Sequence, residues 1–351
     1  MKNTLLLLAF FIKLLAANGQ TFIELNDQYN ALYKKGAYKE AVTIGIKALA
    51  QAKIEYGTEH ENYAIISHNL AEGYYALKEW KQALPLYHQA VKVYAITAKT
   101  NETIDIALCN NSIGNIYLVQ KKYDSSAIFF ESSFNYFLKN SEAHYNNAIG
   151  VMNNLYDLYV PLKRYKEAKN VFTKMLPVIE TKEGTMSANF KAVFANLATM
   201  LDYLEDYATL EIWYKKIMPS VQKEKGKLSK EYGDMAYQLG SYLKKLNKKD
   251  EAILYLKEAN HAFRAVAGNI ENGEIALRNN DIGLLYMDLT KYDSASVYLE
   301  KSFNYFILNA ATEYENAITL MTNLEGLYMP LLKHEEAKAM YSKILPVIEK
   351  K

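Results

Sequence analysis

The side chains that most often carry catalysis or bind metals are scattered in this sequence. It contains no His-Glu-x-x-His motif, no glycine-rich phosphate loop and no Gly-x-Ser-x-Gly turn. The closest histidines are eight positions apart, which is not the spacing of a metal-binding pair. The six histidines are His60, His68, His88, His144, His261 and His334. The sequence therefore predicts a protein that is not an enzyme and that needs no metal and no cofactor.

Two other reactive residue types favour packing over chemistry. Cys109 is the single cysteine, which excludes an internal disulfide framework and a cysteine-based zinc site. It lies in a predicted helix, and because nothing around it matches a nucleophile motif we expect it to be inert. The 30 tyrosines recur at the spacing of helical core positions, so we expect them to pack rather than to react.

Composition and charge exclude further classes. Half of the 351 residues are hydrophobic and 23% are charged, which indicates a folded chain, and 15 glycines with 6 prolines argue against an all-β fold. The formal net charge is +2, and it falls to 0 once Lys2 and Lys13 leave with the leader described next. We therefore expect no nucleic-acid partner. The basic stretch Lys223–Lys230 includes glutamates, and we expect it to be a solvated linker between repeats.

The N-terminal segment that ends at Gly19 predicts a cleavable signal peptide. A short positive start precedes an almost wholly apolar run over 4–12, and Ala17 and Gly19 are small residues at positions −3 and −1 of a cut before Gln20. A membrane anchor or a first helix of the fold is the alternative. A spanning helix needs about 20 apolar residues, and this run is shorter. We expect the protein to be exported, to the periplasm or out of the cell.

A landmark residue recurs through the rest of the chain. It is an aromatic residue or its substitute, usually after Lys or Arg, and successive landmarks are 42 or 43 positions apart. A fixed period of this length indicates stacked supersecondary repeats, and the apolar spacing within each repeat predicts an antiparallel pair of α-helices. The eight landmarks are Tyr38, Trp80, Tyr123, Tyr165, Tyr207, Lys249, Tyr292 and His334.

Small residues recur at two positions of the same period. One position follows most landmarks by three residues, and the other lies midway along the helix before the landmark. A small side chain lets the second helix of a pair approach the first, and large side chains such as Phe130 and Tyr87 fill the hollow around it. We therefore predict a helix-packing role for Ala71, Ala83, Gly114, Ala168, Gly240, Ala252, Gly283, Ala295 and Ala337.

Proline positions fit helix ends in this interpretation. Pro161 and Pro330 are expected to close first helices, and Pro85 to lie in the first turn of a second helix. Three more prolines share one register late in second helices, where we expect them to end or kink the helix. These are Pro177, Pro219 and Pro346.

The repeat resembles the tetratricopeptide repeat. The resemblance is carried by Leu70-Ala71-x-x-Tyr74 with Lys78-x-Trp80-x-x-Ala83, and by Ile113-Gly114, Tyr117 and Lys122-Tyr123. The period of about 42 residues, longer than the usual 34 or so, and paired asparagines such as Asn110-Asn111 are similar to the repeats of kinesin light chains. The resemblance covers about residues 22–351.

This resemblance implies an all-α fold, a right-handed superhelical α-solenoid of eight antiparallel helix-pair repeats over 20–351. The repeats are expected at about 22–62, 63–105, 106–147, 148–188, 189–231, 232–274, 275–316 and 317–351, after a leader at 1–19.

The resemblance also implies a concave groove lined by the first helices of the pairs. By the family's register the partner-binding residues would be Asn26, Asn30, His68, Glu72, Asn111, Asn115, Asn153, Asp157, Tyr237, Ser241 and Asn280. Asparagine carries both donors and acceptors, so these side chains could pair with the backbone of an extended segment. They could equally hydrogen-bond to the neighbouring helix and order the stack. The sequence leaves both interpretations open.

A longer repeat overlies the short one. Residues 106–182 and 275–351 align at an offset of 169 with 40 identities in 77 positions, whereas 29–105 and 198–274 share only 12. Either one block was copied recently without functional meaning, or both blocks are retained because each forms the same contact surface. The second explanation would make the protein bivalent.

Together these features predict a non-enzymatic protein–protein interaction scaffold. Its partner would be an unidentified protein or peptide, and no membrane span is expected once the leader is removed. One alternative is the sensory or docking region of a larger signalling or caspase-like protease system, because similar arrays precede such domains. Another is end-to-end self-association, because the last predicted repeat carries no polar capping helix.

Overall fold

The computed structural model describes residues 20–268 and 270–349, and all regular structure in those residues is α-helical. The predicted leader at 1–19 lies outside the described residues. The chain divides into two compact units, the first ending at Val178 and the second beginning at Ile179. They are called unit 1 and unit 2 below.

Unit 1 contains helices α1 to α7 and most of α8, paired in chain order. Odd-numbered helices are the first helices of their pairs, and even-numbered helices are the second helices. Their bounds are α1 (Phe22–Lys34), α2 (Tyr38–Tyr56), α3 (Glu61–Ala76), α4 (Trp80–Ala98), α5 (Ile104–Val119), α6 (Tyr123–Lys139), α7 (Ser141–Tyr159) and α8 (Tyr165–Glu183).

Unit 2 begins within α8 and contains four further pairs. Their bounds are α9 (Ala188–Tyr203), α10 (Tyr207–Lys225), α11 (Lys230–Lys245), α12 (Lys249–Val266), α13 (Gly273–Asp288), α14 (Tyr292–Leu308), α15 (Ala310–Tyr328) and α16 (His334–Ile348). Within each unit the described residues form an α-solenoid of helix-pair repeats, which confirms the fold class.

The landmark of the sequence is the first residue of every second helix. The first is Tyr38, at the start of α2, and the last is His334, at the start of α16. The two departures from an aromatic residue, Lys249 and His334, begin their helices at the same register. Loss of the aromatic ring therefore does not shift the repeat, and the predicted phase of the helices is confirmed.

Each helix pair is closed by the same backbone turn. The second residue before each landmark has a positive φ, which is 76° at Gly36 and 54–60° at the seven other positions. The next residue donates its N–H to a carbonyl five residues earlier, as Lys122 does to Tyr117 at 2.9 Å. This left-handed residue satisfies carbonyls at the end of the first helix. Thr290 and Leu332 adopt it without being glycine, so the pairing of the helices imposes the turn.

The two helices of a pair meet where a small residue of one helix faces a large side chain of the other. A Cβ added to Gly114 would lie 2.6 Å from Phe130 Cδ1, and one added to Gly283 would lie 2.6 Å from Leu299 Cγ. Gly240 meets Leu256 Cγ at 2.8 Å in the same way. The alanines with a predicted packing role are at most 4% exposed, namely Ala71, Ala83, Ala168, Ala252, Ala295 and Ala337.

The first pair reverses this arrangement. Tyr29 occupies the first-helix position, and the small residue is Gly45 on the second helix, where an added Cβ would lie 3.0 Å from Tyr29 Cδ2. In the fourth pair both positions are aromatic, with the rings of Tyr156 and Phe172 5.7 Å apart. The contact therefore does not require a small residue on one particular helix.

The prolines require a correction. Pro161 and Pro330 follow the ends of α7 and α15 as expected, but Pro85 is the sixth residue of α4 and not in its first turn. Pro177 and Pro219 do not end their helices, which continue for six more residues. Because these prolines are exposed, water can hydrate the carbonyl that each leaves without a helical donor. Pro346 is likewise inside α16, two residues before its end.

The basic stretch near 223–230 is also not the predicted linker. Lys223 and Lys225 belong to the last turn of α10, and Lys230 begins α11. Only 226–229 connect the two helices, and Lys227 there pairs with Glu258 at 3.0 Å. The helices extend further than the charge pattern suggested because lysine is a good helix former near a C-terminus.

The two near-identical blocks share a backbone detail. One residue, Asn140, separates α6 from α7, and Asn309 separates α14 from α15. Non-helical dihedral angles then occur at His144 and at Glu313, which occupy the same aligned position of the two blocks. The same kink at the same register persists although histidine and glutamate differ in chemistry, so the tight connection sets it.

Candidate functional site on the first helices

An amide side chain occupies one of two adjacent positions on all eight first helices, nine or ten residues before the left-handed turn residue and at spacings of 42 or 43 positions. We call this set the amide row. Its members are Asn26, Asn69, Asn111 and Asn154 in unit 1, and Asn196, Gln238, Asn280 and Asn323 in unit 2.

Hydrogen bonds join neighbouring members of the amide row. Nδ2 of Asn69 donates to Oδ1 of Asn26 at 3.0 Å, and Nδ2 of Asn154 donates to Oδ1 of Asn111 at 2.8 Å. In unit 2, Nδ2 of Asn323 donates to Oδ1 of Asn280 at 2.7 Å. Asn26, Asn111 and Asn280 therefore bond to a neighbouring helix, which is one of the two roles that the sequence left open for them.

These bonds leave part of each amide available. In the bonded pair Asn26–Asn69, the NH₂ group of Asn26 and the side-chain oxygen of Asn69 make no side-chain hydrogen bond among the described residues. Both side chains are partly exposed. The same holds for the NH₂ group of Asn111 and the oxygen of Asn154. A bonded pair therefore presents one donor and one acceptor in a fixed orientation.

Sequence reasoning missed several members of the row. It selected Asn153 in α7, but the side chain that bonds to Asn111 is that of the next residue, Asn154, while Asn153 is exposed. It also missed Asn69 and Asn323. The recurrence of an amide at intervals of 42 or 43 positions was the signal that could have found them.

The other predicted groove residues are less connected. Nδ2 of Asn115 donates to the backbone oxygen of Asn111 at 3.1 Å, and Oγ of Ser241 donates to the backbone oxygen of Tyr237 at 2.9 Å, so both bond within their own helix. Asn30 is half-buried on α1 and Asp157 is exposed on α7.

Glu72 is the centre of a hydrogen-bond cluster in unit 1. Its Oε1 accepts from the hydroxyl of buried Tyr87 at 2.5 Å and from Oγ of Ser112 at 3.1 Å. Burial together with the charge of Glu72 also raises the pKa of Tyr33 to about 12. Burial and the same charge raise the pKa of Tyr87 far above its usual range. Both hydroxyls therefore keep their protons, and that of Tyr87 acts as a donor.

His68 lies beside this carboxylate, with Nε2 3.8 Å from Glu72 Oε1. Burial lowers the pKa of His68, and the charges of Glu72 and Asp105 offset this only in part. The imidazole is therefore neutral at pH 7 and supplies no counter-charge. Neutral donors therefore hold the Glu72 carboxylate in place. Because its side chain is 30% exposed, the charge remains accessible to a binding partner.

In unit 2 the residues that correspond to the Glu72 cluster carry a positive charge instead of a negative one. When the sequence offset of 169 that aligns the two blocks is extended to the preceding repeats, Glu72 corresponds to Ser241, His68 to Tyr237 and Cys109 to Arg278. The Arg278 guanidinium carbon lies 3.9 Å from the ring centre of Phe263 and 4.7 Å from that of Tyr237. Arg278 is only 8% exposed. An aromatic site in unit 2 thus holds a cation of the chain itself.

The described residues offer little for catalysis. Cys109 is fully buried, and burial raises the pKa of its thiol far above the usual range, so it is not a nucleophile at neutral pH. Across 20–268 and 270–349 no group of three or more His, Cys, Asp or Glu side chains is arranged to hold a metal ion. In the same ranges no helix combines the length and apolar character needed to cross a membrane.

Comparison with known proteins supports the resemblance of the repeat to the tetratricopeptide repeat. The family model described as tetratricopeptide repeat matches residues 30–95. Over 248 residues the chain is 26% identical to Protein KINESIN LIGHT CHAIN-RELATED 2 of Arabidopsis thaliana, an alignment that covers 68% of this chain and 36% of that protein. The chain thus spans about a third of the length of this relative.

One solved structure shows the same fold, and a second is similar over part of the chain. A structure of Naa15/Naa10 bound to HypK-THB matches with a TM-score of 0.55 and 14% identity, covering 91% of this chain and 43% of that one. A putative kinesin light chain from Podospora anserina with nearly identical TPR-like repeats matches 57% of this chain and 93% of its own, with 15% identity and a TM-score of 0.44. The chain thus contains a tetratricopeptide repeat at 30–95 and further helix pairs in the same register, and its repeats are similar to those of a kinesin-light-chain-related protein.

Proposed function

We propose that this protein is a non-enzymatic scaffold that binds an extended segment of a partner protein in a groove along its first helices. Tetratricopeptide-repeat proteins bind protein partners, and the first helices here carry the polar side chains that such a segment needs. The proposal includes no nucleic acid, no cofactor and no catalytic step.

The amide row is the observation that carries this proposal. An extended segment exposes one backbone N–H and one carbonyl at every residue, and these groups lose their hydration on binding. Each hydrogen-bonded asparagine pair offers a donor and an acceptor whose orientation is already fixed. Fixed groups lose little conformational freedom on binding, which favours affinity.

Export of the mature chain from Gln20 onwards is a further part of the proposal. It is supported by the apolar run at 4–12 and by the small residues Ala17 and Gly19. The mass of the mature chain, purified from the compartment outside the inner membrane, checks the cleavage site.

Removing one asparagine pair tests the binding role. We expect Asn111→Ala with Asn154→Ala to weaken binding of a selected peptide about 30-fold, since the pair loses two hydrogen bonds to the peptide, each worth roughly 1 kcal/mol. The melting temperature should change little, because removing both partners of the pair leaves no unsatisfied group behind. The peptide is selected from a displayed library of random dodecapeptides, and affinity is measured by fluorescence anisotropy.

Asn135→Ala is the matched control, since Asn135 is an exposed asparagine of the second helix α6. It should leave the affinity unchanged. A double variant that melts many degrees lower and still binds normally would show that the row only orders the stack.

A further inference from the structure

The first helices of unit 1 carry a marked excess of acidic residues. They contain seven aspartates and glutamates against a single lysine, although the whole chain is close to neutral. The acidic residues are Glu24, Asp27, Glu61, Glu72, Asp105, Glu142 and Asp157, and the lysine is Lys34. The near-neutral total therefore hides an excess of negative charge on this set of helices.

Five of the nine acidic residues on the first helices of unit 2 pair with a lysine or arginine of the same unit. Asp281 pairs with Lys244 at 2.9 Å, and Asp234 pairs with Lys230 at 2.7 Å. Further pairs are Lys245 with Asp202, Lys249 with Asp288 and Arg278 with Glu274. In unit 1, by contrast, none of Asp27, Glu72, Asp105 and Asp157 pairs with a lysine or arginine of the described residues.

Glu72 is the most constrained of these carboxylates. Tyr87 and Ser112 fix its Oε1, so the carboxylate cannot rotate freely towards solvent. Tyr33 and Tyr75 are half-buried, and burial and the charge of Glu72 raise the pKa of both, which places them near it. A carboxylate flanked by neutral aromatic rings suits a guanidinium or an ammonium group.

In unit 2 the place that corresponds to the Glu72 cluster holds the guanidinium of Arg278. There the rings of Tyr237 and Phe263 hold Arg278, whereas in unit 1 the residue equivalent to Arg278 is the small, uncharged Cys109. In unit 1 the positions of Tyr237 and Phe263 are taken by His68 and Tyr94, the position of Ser241 is taken by Glu72, and the internal cation is replaced by Cys109.

We infer that the first helices of unit 1 take a basic segment of a partner protein, with a lysine or arginine side chain of that segment bound at Glu72. This inference rests on the proposed function, because it names the chemistry of the segment that the groove would hold. The amide row lies beside Glu72, since Asn69 is three residues earlier on α3. The row would bind the backbone of the segment, and Glu72 would select its side chain. Binding should weaken with added salt.

The test uses the purified chain and a displayed library of random dodecapeptides. We expect the selected peptides to be enriched in Lys and Arg. Glu72→Gln should weaken binding of the best selected peptide about 10-fold, as expected for the loss of one charge-assisted hydrogen bond. Glutamine keeps an oxygen that can accept from Tyr87 and Ser112, so the local packing is preserved.

Glu40→Gln is the matched control, because it makes the same change at an exposed position of the second helix α2. It should leave the affinity unchanged. Asp157→Asn, at an exposed position of α7, is a second variant that cannot disturb the core, and it should weaken binding in the same direction as Glu72→Gln.

The outcomes separate the two proposals. Selected peptides without an excess of Lys and Arg, or equal affinities for the Glu72→Gln and Glu40→Gln proteins, would overturn the basic segment and leave groove binding intact. Failure of the chain to enrich any peptide over bare beads would overturn the proposed function, and this inference with it.

Discussion

Gly114→Leu should lower the stability of the protein by about 1–3 kcal/mol, the usual range for overpacking a well-packed core. A Cβ at this position would already lie 2.6 Å from Phe130 Cδ1 and 3.0 Å from its Cγ. Phe130 is fully buried, so its ring cannot move away without disturbing the helix pair. Thermal unfolding followed by circular dichroism measures the change as a lower melting temperature.

Gly150→Leu is the control for this prediction. Gly150 lies within the first helix α7, and no atom is within 4 Å of the Cβ that would be added there. Leucine has a higher helix propensity than glycine, so this variant should be neutral or stabilised by up to about 1 kcal/mol. Equal melting temperatures for the two variants would show that the assigned contact between the helices is wrong.

Tyr29→Ala should have the largest effect among the pair contacts, a loss of about 3–5 kcal/mol as for other large aromatic residues removed from cores. Tyr29 is 2% exposed and lies against Gly45 and Gly73, neither of which has a side chain to fill the void. Its hydroxyl also donates to the backbone oxygen of Asn69. Urea unfolding and hydrogen exchange of the first two pairs measure the loss.

A compensating change makes this prediction sharper. Combining Tyr29→Ala with Gly45→Phe restores the arrangement of the third pair, in which the small residue is on the first helix, and should recover part of the lost stability. Ile23→Ala, at a 60% exposed position of the same helix, should cost less than about 0.5 kcal/mol. A double variant no more stable than Tyr29→Ala alone would contradict the view that a large side chain on either helix can fill the space opposite a small residue.

The phase of the helices could be predicted because the landmark residue occupies the same place in every helix pair. The landmark always begins a second helix, even where it is Lys249 or His334, since the preceding left-handed turn fixes the chain there. The prolines were less informative. Pro177 and Pro219 lie on exposed helix surfaces, and whether a carbonyl can be hydrated there depends on packing that the sequence does not show.

The candidate site was only partly predictable. Family register selected Asn26, Asn111 and Asn280, which bond to neighbouring helices, whereas in α7 it selected Asn153, the residue before the bonded Asn154. A difference of one residue turns a side chain by about 100° around a helix, so Asn153 stays a predicted groove residue outside the hydrogen-bonded row. The cluster around Glu72 could not be predicted, because Tyr87 and Ser112 reach it from two other helices.

The duplicated blocks bear on whether the protein has two equivalent sites. The blocks at 106–182 and 275–351 share the kink at His144 and Glu313. The place around Glu72, however, combines residues of the preceding, diverged repeats with Ser112 and Cys109 of the first block, and there unit 2 has Ser241 and a buried Arg278. If both units bind, we expect them to prefer segments of different charge. Bivalence for two identical segments stays a prediction that this difference disfavours.

Photo-crosslinking of a bound peptide tests most directly whether a partner segment lies along the first helices. A benzophenone amino acid replaces Asn153, exposed on the first helix α7, or Lys166, exposed on the second helix α8. The selected peptide should crosslink to the chain modified at 153 and not to the chain modified at 166. Crosslinking at 166 alone, or equally at both positions, would contradict binding along the first helices.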